Sequence, residues 1–531
     1  MISEKIYRLR QQYKYSQEKF AEKLNVSRQA VQRWESGNAI PDMESMLNIA
    51  KTFQVSLDWL NDLPDHRMVD ELRRQRHPVP SYQNLGFWNA YAPDLLTDFK
   101  QFLAEGKDVE WLREIVLALC HIPQFQEKED MADILYKIMY QAPTRADFPY
   151  REPDDLESIR LLRVERASVA GKQLPDAEII RNKLTGAWLG RVCGCMLGQP
   201  IEGIHSKDLD MLLRETDNYP MHRYITREDV MGPVADKIEF PPLRSKLYAN
   251  MLKNGFPGDD DTNYTCIASS VVDANGRNFA SEHICRKWTH TGNIDCYATA
   301  EKVAYRNIIA NYAAPATALY KNPFREWIGA QIRGDYFGYI NPGDPEAAAE
   351  MAWRDARVSH SKNGIYGEML VAAMNAAAMV CDDPETVILC GMSQIPSTSR
   401  LYEKLQALLD RYHDGGSWDA FYADFMTRYD EKDSFDAVHV ISNAELVVAA
   451  LLWGACDYSK TICLAVQCGF DTDCNGATAG SVAGMIVGVG EIDPKWTDPI
   501  DGKVGSSVFG PAHPVEAFVD MMLRHIAQKG E

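Results

Sequence analysis

The chain is predicted to be all-α, on three observations. Apolar residues recur at helical spacing along its length, as in Phe20, Ala21 and Leu24, in Leu95, Leu96, Phe99, Phe102 and Leu103, and in Tyr264, Ile267, Ala268, Val271 and Val272. Glycines stand at every fourth position (Gly186, Gly190, Gly194, Gly198) of KLTGAWLGRVCGCMLG, which puts them on one face of a helix. The run AELVVAALLW (444–453) is apolar on nearly every side, as a buried helix must be. Three regions are expected: 1–62, a helical spacer over 63–178, and a large helical domain over 179–531.

Charge separates the first region from the rest. The 531 residues carry 56 Lys+Arg against 75 Asp+Glu, a net −19, so the chain as a whole is no general nucleic-acid binder. Residues 1–62 alone hold nine basic and eight acidic residues, which leaves −20 on the remainder. The 12 cysteines begin at Cys120 and form no CxxC pair, and no apolar run reaches the ~20 residues needed to span a bilayer. A cytoplasmic protein that does not enter the membrane is expected.

In SQEKFAEKLNVSRQAVQRWESG (16–37) a first helix turns inward on Phe20, Ala21 and Leu24. Asn25-Val26 makes a tight turn, and Ser27 caps a second helix that buries Ala30, Val31 and Trp34. Arg28, Gln29, Gln32 and Arg33 are left facing outward, and Arg and Gln pair bidentately with guanine and adenine in a major groove. Gln17, at the start of the first helix, is placed to reach a phosphate. With IPDMESMLNIAKTFQVSLDWL following, residues 1–62 resemble the helix-turn-helix family of the phage Cro and repressor type. The resemblance implies a five-helix bundle that binds DNA, usually as a homodimer.

Residues 63–92 are polar and contain HPVP, as a linker would. The apolar sets around Leu95–Leu103 and Met131, Ile134, Leu135, Ile138 and Met139 fit amphipathic helices and carry no visible chemistry.

The last region holds the chemistry. The four-residue glycine repeat costs a soluble helix about 1 kcal/mol per Gly against Ala, which implies close approach of another backbone. That helix should end near Gly198 and deliver Glu202 just beyond it. In GFPGDDDTNYT, Asp259, Asp260 and Asp261 crowd a helix start, more carboxylate than the helix dipole needs. Asp471 and Asp473 in CGFDTDCNGATAGSVAG repeat the arrangement before a helix of small residues. Two acidic helix starts in one buried setting suggest a shared divalent-cation site.

GAWLGRVCGCMLGQPIEG, GDDDTNYT and GFDTDCNGATAGSVAG together resemble the three signature segments of the ADP-ribosylglycohydrolase family, over roughly residues 179–525. The resemblance implies an all-α fold with two Mg²⁺, or Mn²⁺, in a cleft. Asp260, Asp261, Asp471 and Asp473 fall on the family's metal ligands. Asp259 stands where a hydroxyl ligand is common, and Cys474 where a Thr is usual. Glu202 matches a glutamate near the metals and the ribose, so Glu202 and Asp260 are the candidate catalytic carboxylates, and the sequence does not choose between them as general base. Arg333, Gly334, His360 and Asn363 fall in the substrate-side loops, where Tyr336, Phe337 and Tyr339 are expected to stack on a base.

Two functions follow from these expectations. One is a metal-dependent glycohydrolase, acting on an ADP-ribosyl or nucleoside-type ligand, fused to a sequence-specific DNA reader. The other is a transcription regulator whose glycohydrolase-like domain senses such a ligand with little turnover.

Overall fold

A computed structural model describes residues 2–61, 80–82, 85–238 and 242–528. Most of the polar linker expected over 63–92 lies outside the described residues. The chain divides into two compact units, Met1–Asn84 and Leu85–Glu531.

The first unit is the expected five-helix bundle: α1 (Ile2–Gln12), α2 (Gln17–Leu24), α3 (Arg28–Glu35), α4 (Met43–Phe53) and α5 (Leu57–Leu60). Its core is built on Ile6, Phe20, Val31, Ile49 and Leu60, with Phe20 stacked on Phe53 at 4.8 Å. The Ser27 cap and the Asn25 turn expected from the sequence are formed, and Ser16 caps α2 in the same way. The Ser16 and Ser27 hydroxyls accept from the amides of Lys19 and Ala30, and Asn25 ends α2 in the left-handed conformation.

The second unit begins with α6 (Leu95–Ala104), α7 (Arg113–Cys120) and α8 (Gln126–Gln141), which share a small core of Leu95, Phe99, Phe102, Val116 and Met139. These helices belong to the same compact unit as everything after them. Asp98 and Gln101 on α6 and Glu105 at its C-terminal cap are also buried polar residues, along a second face three to four residues apart. Arg325 pairs with Asp98 at 2.6 Å and Glu105 at 2.7 Å, Lys362 reaches Glu105 at 2.6 Å, and Gln101 donates to Glu326. A buried carboxylate is tolerated when a cation meets it. The expected spacer is thus docked, from residue 85 onward, through polar groups that an apolar-periodicity reading passes over.

Helix α9 (Ala177–Gly198) carries the glycine repeat and ends where the sequence places its end. Two helices at the centre are almost wholly buried, α11 (Asn363–Ala378) and α12 (Val440–Gly454), separated in sequence from α9 by α10 (Asp260–Asn275). The partner of the glycines is α13 (Thr472–Val487), the helix of the second acidic motif. A Cβ on Gly186, Gly190 or Gly194 would lie 2.5, 2.3 or 1.9 Å from the carbonyl oxygen of Gly484, Gly480 or Gly476, and one on Gly198 would meet Thr472 at 2.3 Å. The pairing is reciprocal and runs antiparallel. Only glycine on both helices permits it.

Among the described residues one two-stranded sheet departs from the all-α expectation, an antiparallel hairpin of β1 (Lys503–Ser506) and β2 (Gly510–Pro514). The GFPG segment lies along β1. Phe256 donates to the Lys503 carbonyl at 2.9 Å, and Gly505 donates to the Phe256 carbonyl at 2.7 Å. Gly255 and Gly258 have φ of +84° and +97°, and a Cβ on either would meet a β1 carbonyl oxygen at 2.4 Å. The hairpin therefore aims the acidic loop.

Candidate metal centre and cleft

The antiparallel glycine contact brings the C-terminal end of α9 to the N-terminal end of α13, so Glu202 comes beside Asp471 and Asp473. Asp259 caps α10: its carboxylate accepts from the Asp261 amide at 3.3 Å, and its own amide donates to the Thr262 hydroxyl at 3.1 Å. The two acidic helix starts, far apart in sequence, meet. One ligand atom each from Asp261, Asp473 and Cys474 lies within 4.8 Å of the others, and the same holds for Cys195, Asp259 and Asp261. Asp261 is common to both groups.

Asp261 is buried and is held by Arg191 on α9. The guanidinium donates to the Asp261 carbonyl at 2.7 Å, lies 3.5 Å from the carboxylate and pairs with Asp335 at 2.7 Å. The Cys195 thiol stands 3.8 Å from the other Asp261 oxygen. Burial, followed by repulsion from neighbouring carboxylates, pushes Asp260 and Asp473 well above the usual carboxylate range. Burial does the same to Asp261 despite Arg191. Asp471 is also raised by burial, and Glu202, the most solvent-accessible of the group, is raised by desolvation and by Asp471. One Asp473 oxygen is buried with no hydrogen-bond partner. A concentrated set of oxygen donors with an unpartnered buried carboxylate oxygen fits a hard divalent cation. Burial, and then the neighbouring Asp261 and Asp471 carboxylates, push the Cys474 thiol, a softer donor, well above its usual range.

Glu202, Asp260, Asp471, Asp473 and Cys474 line one cavity of about 640 Å³, a volume typical of small-ligand sites. Another cavity, about 470 Å³, shares no residue with it, and its Arg160 and Arg163 are already paired with Glu346.

The four residues expected on the substrate side do not line the acidic cleft. Arg333 is buried and donates to Glu301, Asp355 and the Ser359 hydroxyl, so only its partner Glu301 reaches the cleft. Gly334 packs against α11, where a Cβ would meet the Glu368 carbonyl oxygen at 2.6 Å. His360 is kept neutral by burial, sits 2.8 Å from the Ser359 hydroxyl and borders a separate cavity of about 110 Å³. Asn363 donates to Glu152 and Glu326, both at 2.8 Å, and accepts from the Leu401 amide. Tyr336, Phe337 and Tyr339 are fully buried and present no ring to a ligand. Polar residues near glycines are as suited to an internal network as to a ligand, and here the network takes them.

Arg191, Cys195 and Glu301 were not singled out from the sequence. The spacing of Arg191 and Cys195 (i, i+4) on an otherwise small-residue helix was the available signal. In the first unit Arg28, Gln29, Gln32 and Arg33 are all exposed, with Arg28 paired to the exposed Glu18 at 2.9 Å. Gln17 instead turns inward and donates to Glu35, which also holds Arg10.

These two sites define a helix-turn-helix unit joined to a helical domain with an acidic cleft, and comparison with known proteins agrees. A family model described as ADP-ribosylglycohydrolase matches residues 176–528, and one described as Helix-turn-helix matches residues 6–60. The chain belongs to the ADP-ribosylglycohydrolase family and carries a helix-turn-helix DNA-binding domain at its N-terminus. It is 47% identical over 59 residues (11% of this chain) to the HTH-type transcriptional activator BcrR of Enterococcus faecalis, matching 29% of that protein's length. It is 31% identical over 129 residues, 24% of this chain, to an uncharacterized HTH-type transcriptional regulator, YqaE, of Bacillus subtilis (strain 168), covering 95% of it. A solved chain from an ADP-ribosylglycohydrolase-related protein complex aligns with 66% of this chain and 99% of its own, at 18% identity and a TM-score of 0.40. No described helix is long and apolar enough to cross a membrane.

Proposed function

We propose that the cleft hydrolyses the anomeric C–N or C–O bond of an ADP-ribosyl or related ribosyl group, and that the N-terminal unit brings this activity to DNA. The observation that carries the reading is that Asp260, Asp471 and Asp473 line one cavity, that Asp261 lies within ligand distance of Asp473 and, in a second group, of Asp259, and that a buried Asp473 oxygen is left unpartnered. In this reading these five residues hold two Mg²⁺, with Mn²⁺ as a substitute. Such ions, when bound, supply positive charge to ribose hydroxyls and to an attacking water.

The chain's own groups do the rest. Arg191 fixes Asp261 and opposes part of its repulsion with the other carboxylates. Carboxylates facing the anomeric carbon stabilise the positive charge that develops as the leaving group departs. Glu202 and Asp260 are the candidates to take the proton of water, and the exposure of Glu202 lets it return that proton to solvent. Tyr264, Ile328 and Ile332 form an apolar part of the lining that limits water to the acidic side.

Hydrolysis of ADP-ribosylated peptides by the full chain in Mg²⁺ tests this. Multiple turnover that stops on chelation and returns with Mg²⁺ or Mn²⁺ is expected, and no release of ADP-ribose under any divalent ion refutes it. The helix-turn-helix unit favours the second reading, a regulator that senses the ligand. For that reading the expected result is stoichiometric ADP-ribose binding without turnover, together with at least a severalfold change in operator affinity.

DNA binding is proposed to occur in the cytoplasm as a homodimer through Arg28, Gln29, Gln32 and Arg33. Arg28→Ala should weaken binding at a cognate site by about 1–3 kcal/mol in a mobility-shift titration. Unchanged affinity would take Arg28 out of the base-reading set.

A further inference from the structure

One wall of the acidic cleft lies outside the family match. Residues 176–528 supply the acidic floor, but Trp88, Asp94 and Thr97 come from α6 and the segment that leads into it. Trp88 has φ of +61°, a backbone conformation unfavourable for a tryptophan. Its ring meets Phe324 edge-on, with centroids 6.3 Å apart and planes at 80°, and Phe324 meets Trp327 at 4.7 Å and 66°. Phe324 and Trp327 are buried, whereas Trp88 keeps contact with solvent. The exposed Phe87 lies tilted beside Trp88, with centroids 5.8 Å apart, and of the Trp, Tyr and Phe rings that line the cavity Trp88 is the one that keeps contact with solvent.

The wall is anchored. Arg306 donates to the Trp88 carbonyl at 3.4 Å, Lys100 on α6 pairs with Asp433, and Arg325 holds α6 through Asp98 and Glu105. Asp94 places a carboxylate on the same cavity. A partly exposed indole in a cavity wall recognises a planar π-system, and a nearby carboxylate accepts from an amino edge.

We propose that Trp88 and Asp94 form a nucleobase subsite, the base stacking on Trp88 and donating to Asp94, while the ribosyl end of the same ligand lies over the acidic cluster. The inference rests on reading the cleft as a ribosyl site, and it assigns the docked α6–α8 segment a part in ligand selection.

Calorimetric titration of the full chain in Mg²⁺ with ADP-ribose, AMP and ribose 5-phosphate tests it. Trp88→Ala should weaken ADP-ribose and AMP roughly tenfold or more, the effect of one base–ring stack, and leave ribose 5-phosphate unchanged. Trp88→Phe should restore most of the loss. Asp94→Asn should weaken the two base-bearing ligands severalfold, which keeps the test open if Trp88→Ala does not fold. Equal affinity of wild type and Trp88→Ala for ADP-ribose overturns the subsite, as does an equal loss for ribose 5-phosphate, which would mark Trp88 as structural. A wild type that binds AMP but not ribose 5-phosphate keeps the base subsite and sinks the ribosyl reading. One that binds none of the three overturns both.

Discussion

Replacing Gly194 by alanine is expected to unfold the Leu85–Glu531 unit or to lower its melting temperature more than any other single methyl addition along α9. The added Cβ would lie 1.9 Å from the Gly476 carbonyl oxygen, with the Gly476 carbonyl carbon at 2.4 Å. Both atoms are backbone, so no side chain can swing away, and the helices must separate. Overpacking in a tight core typically costs 1–3 kcal/mol, and a clash between two helix backbones belongs at or above the top of that range, about 3 kcal/mol or more. The separation would also move Glu202 away from Asp471 and Asp473, so the variant should lose divalent-ion stabilisation even if it folds. Gly490→Ala is the control: its Cβ would meet nothing closer than the Asn182 side chain at 3.7 Å, and a change within about 0.5 kcal/mol is expected. Calorimetric unfolding of the three proteins decides it. A Gly194→Ala chain that melts with the wild type would show that the two helices do not approach as described.

The second large effect is at Asp473, and its sign depends on the ion. Asp260, Asp261 and Asp473 have carboxyls raised well above the usual range by burial, reinforced at Asp260 and Asp473 by neighbouring carboxylates and opposed at Asp261 by Arg191. Without metal, Asp473→Asn removes one of several repelling buried charges, so the chelated variant should be more stable than chelated wild type, by about 1–2 kcal/mol. With Mg²⁺ at a hundredfold excess over its dissociation constant, wild type should gain about 2.7 kcal/mol from binding to the folded state, and the variant should lose most of that gain.

The pH dependence follows from the same raised carboxyls. The stability these groups contribute is fully present below the unfolded carboxylate range, about pH 4, and is lost as pH rises from there through their raised folded-state values, where the folded chain too must ionise them. Chelated wild type should therefore lose stability between acid and neutral pH because of these groups, and added Mg²⁺ should reverse that trend, since it binds the ionised form. Thermal melts with and without chelator across that range test both statements. A wild type indifferent to Mg²⁺ and Mn²⁺, or an Asp473→Asn chain that keeps the full gain, would leave the acidic cluster without a metal.

What could be read from the sequence was local. Asn25 after Leu24 and serines before Lys19 and Ala30 state where helices start and stop, because caps and left-handed turns are satisfied within a few residues. The end of α9 at Gly198, the cap at Asp259 and the burial of Val440–Gly454 were legible for the same reason. So was the need of the glycine repeat for a close backbone, although not which backbone it was.

Tertiary structure decided the rest. It paired Gly194 with Gly476, and so brought Glu202, Asp260 and Asp473 to one cavity from three separate segments. It also turned Arg333, His360 and Asn363 inward and docked Asp98 and Glu105 against Arg325. A charged side chain has the same composition whether its partner is a ligand, water or a distant residue of its own chain. Periodicity reports which face of a helix is apolar, but the partner of a buried charge is set by a contact hundreds of residues away, and only the packed chain contains that contact.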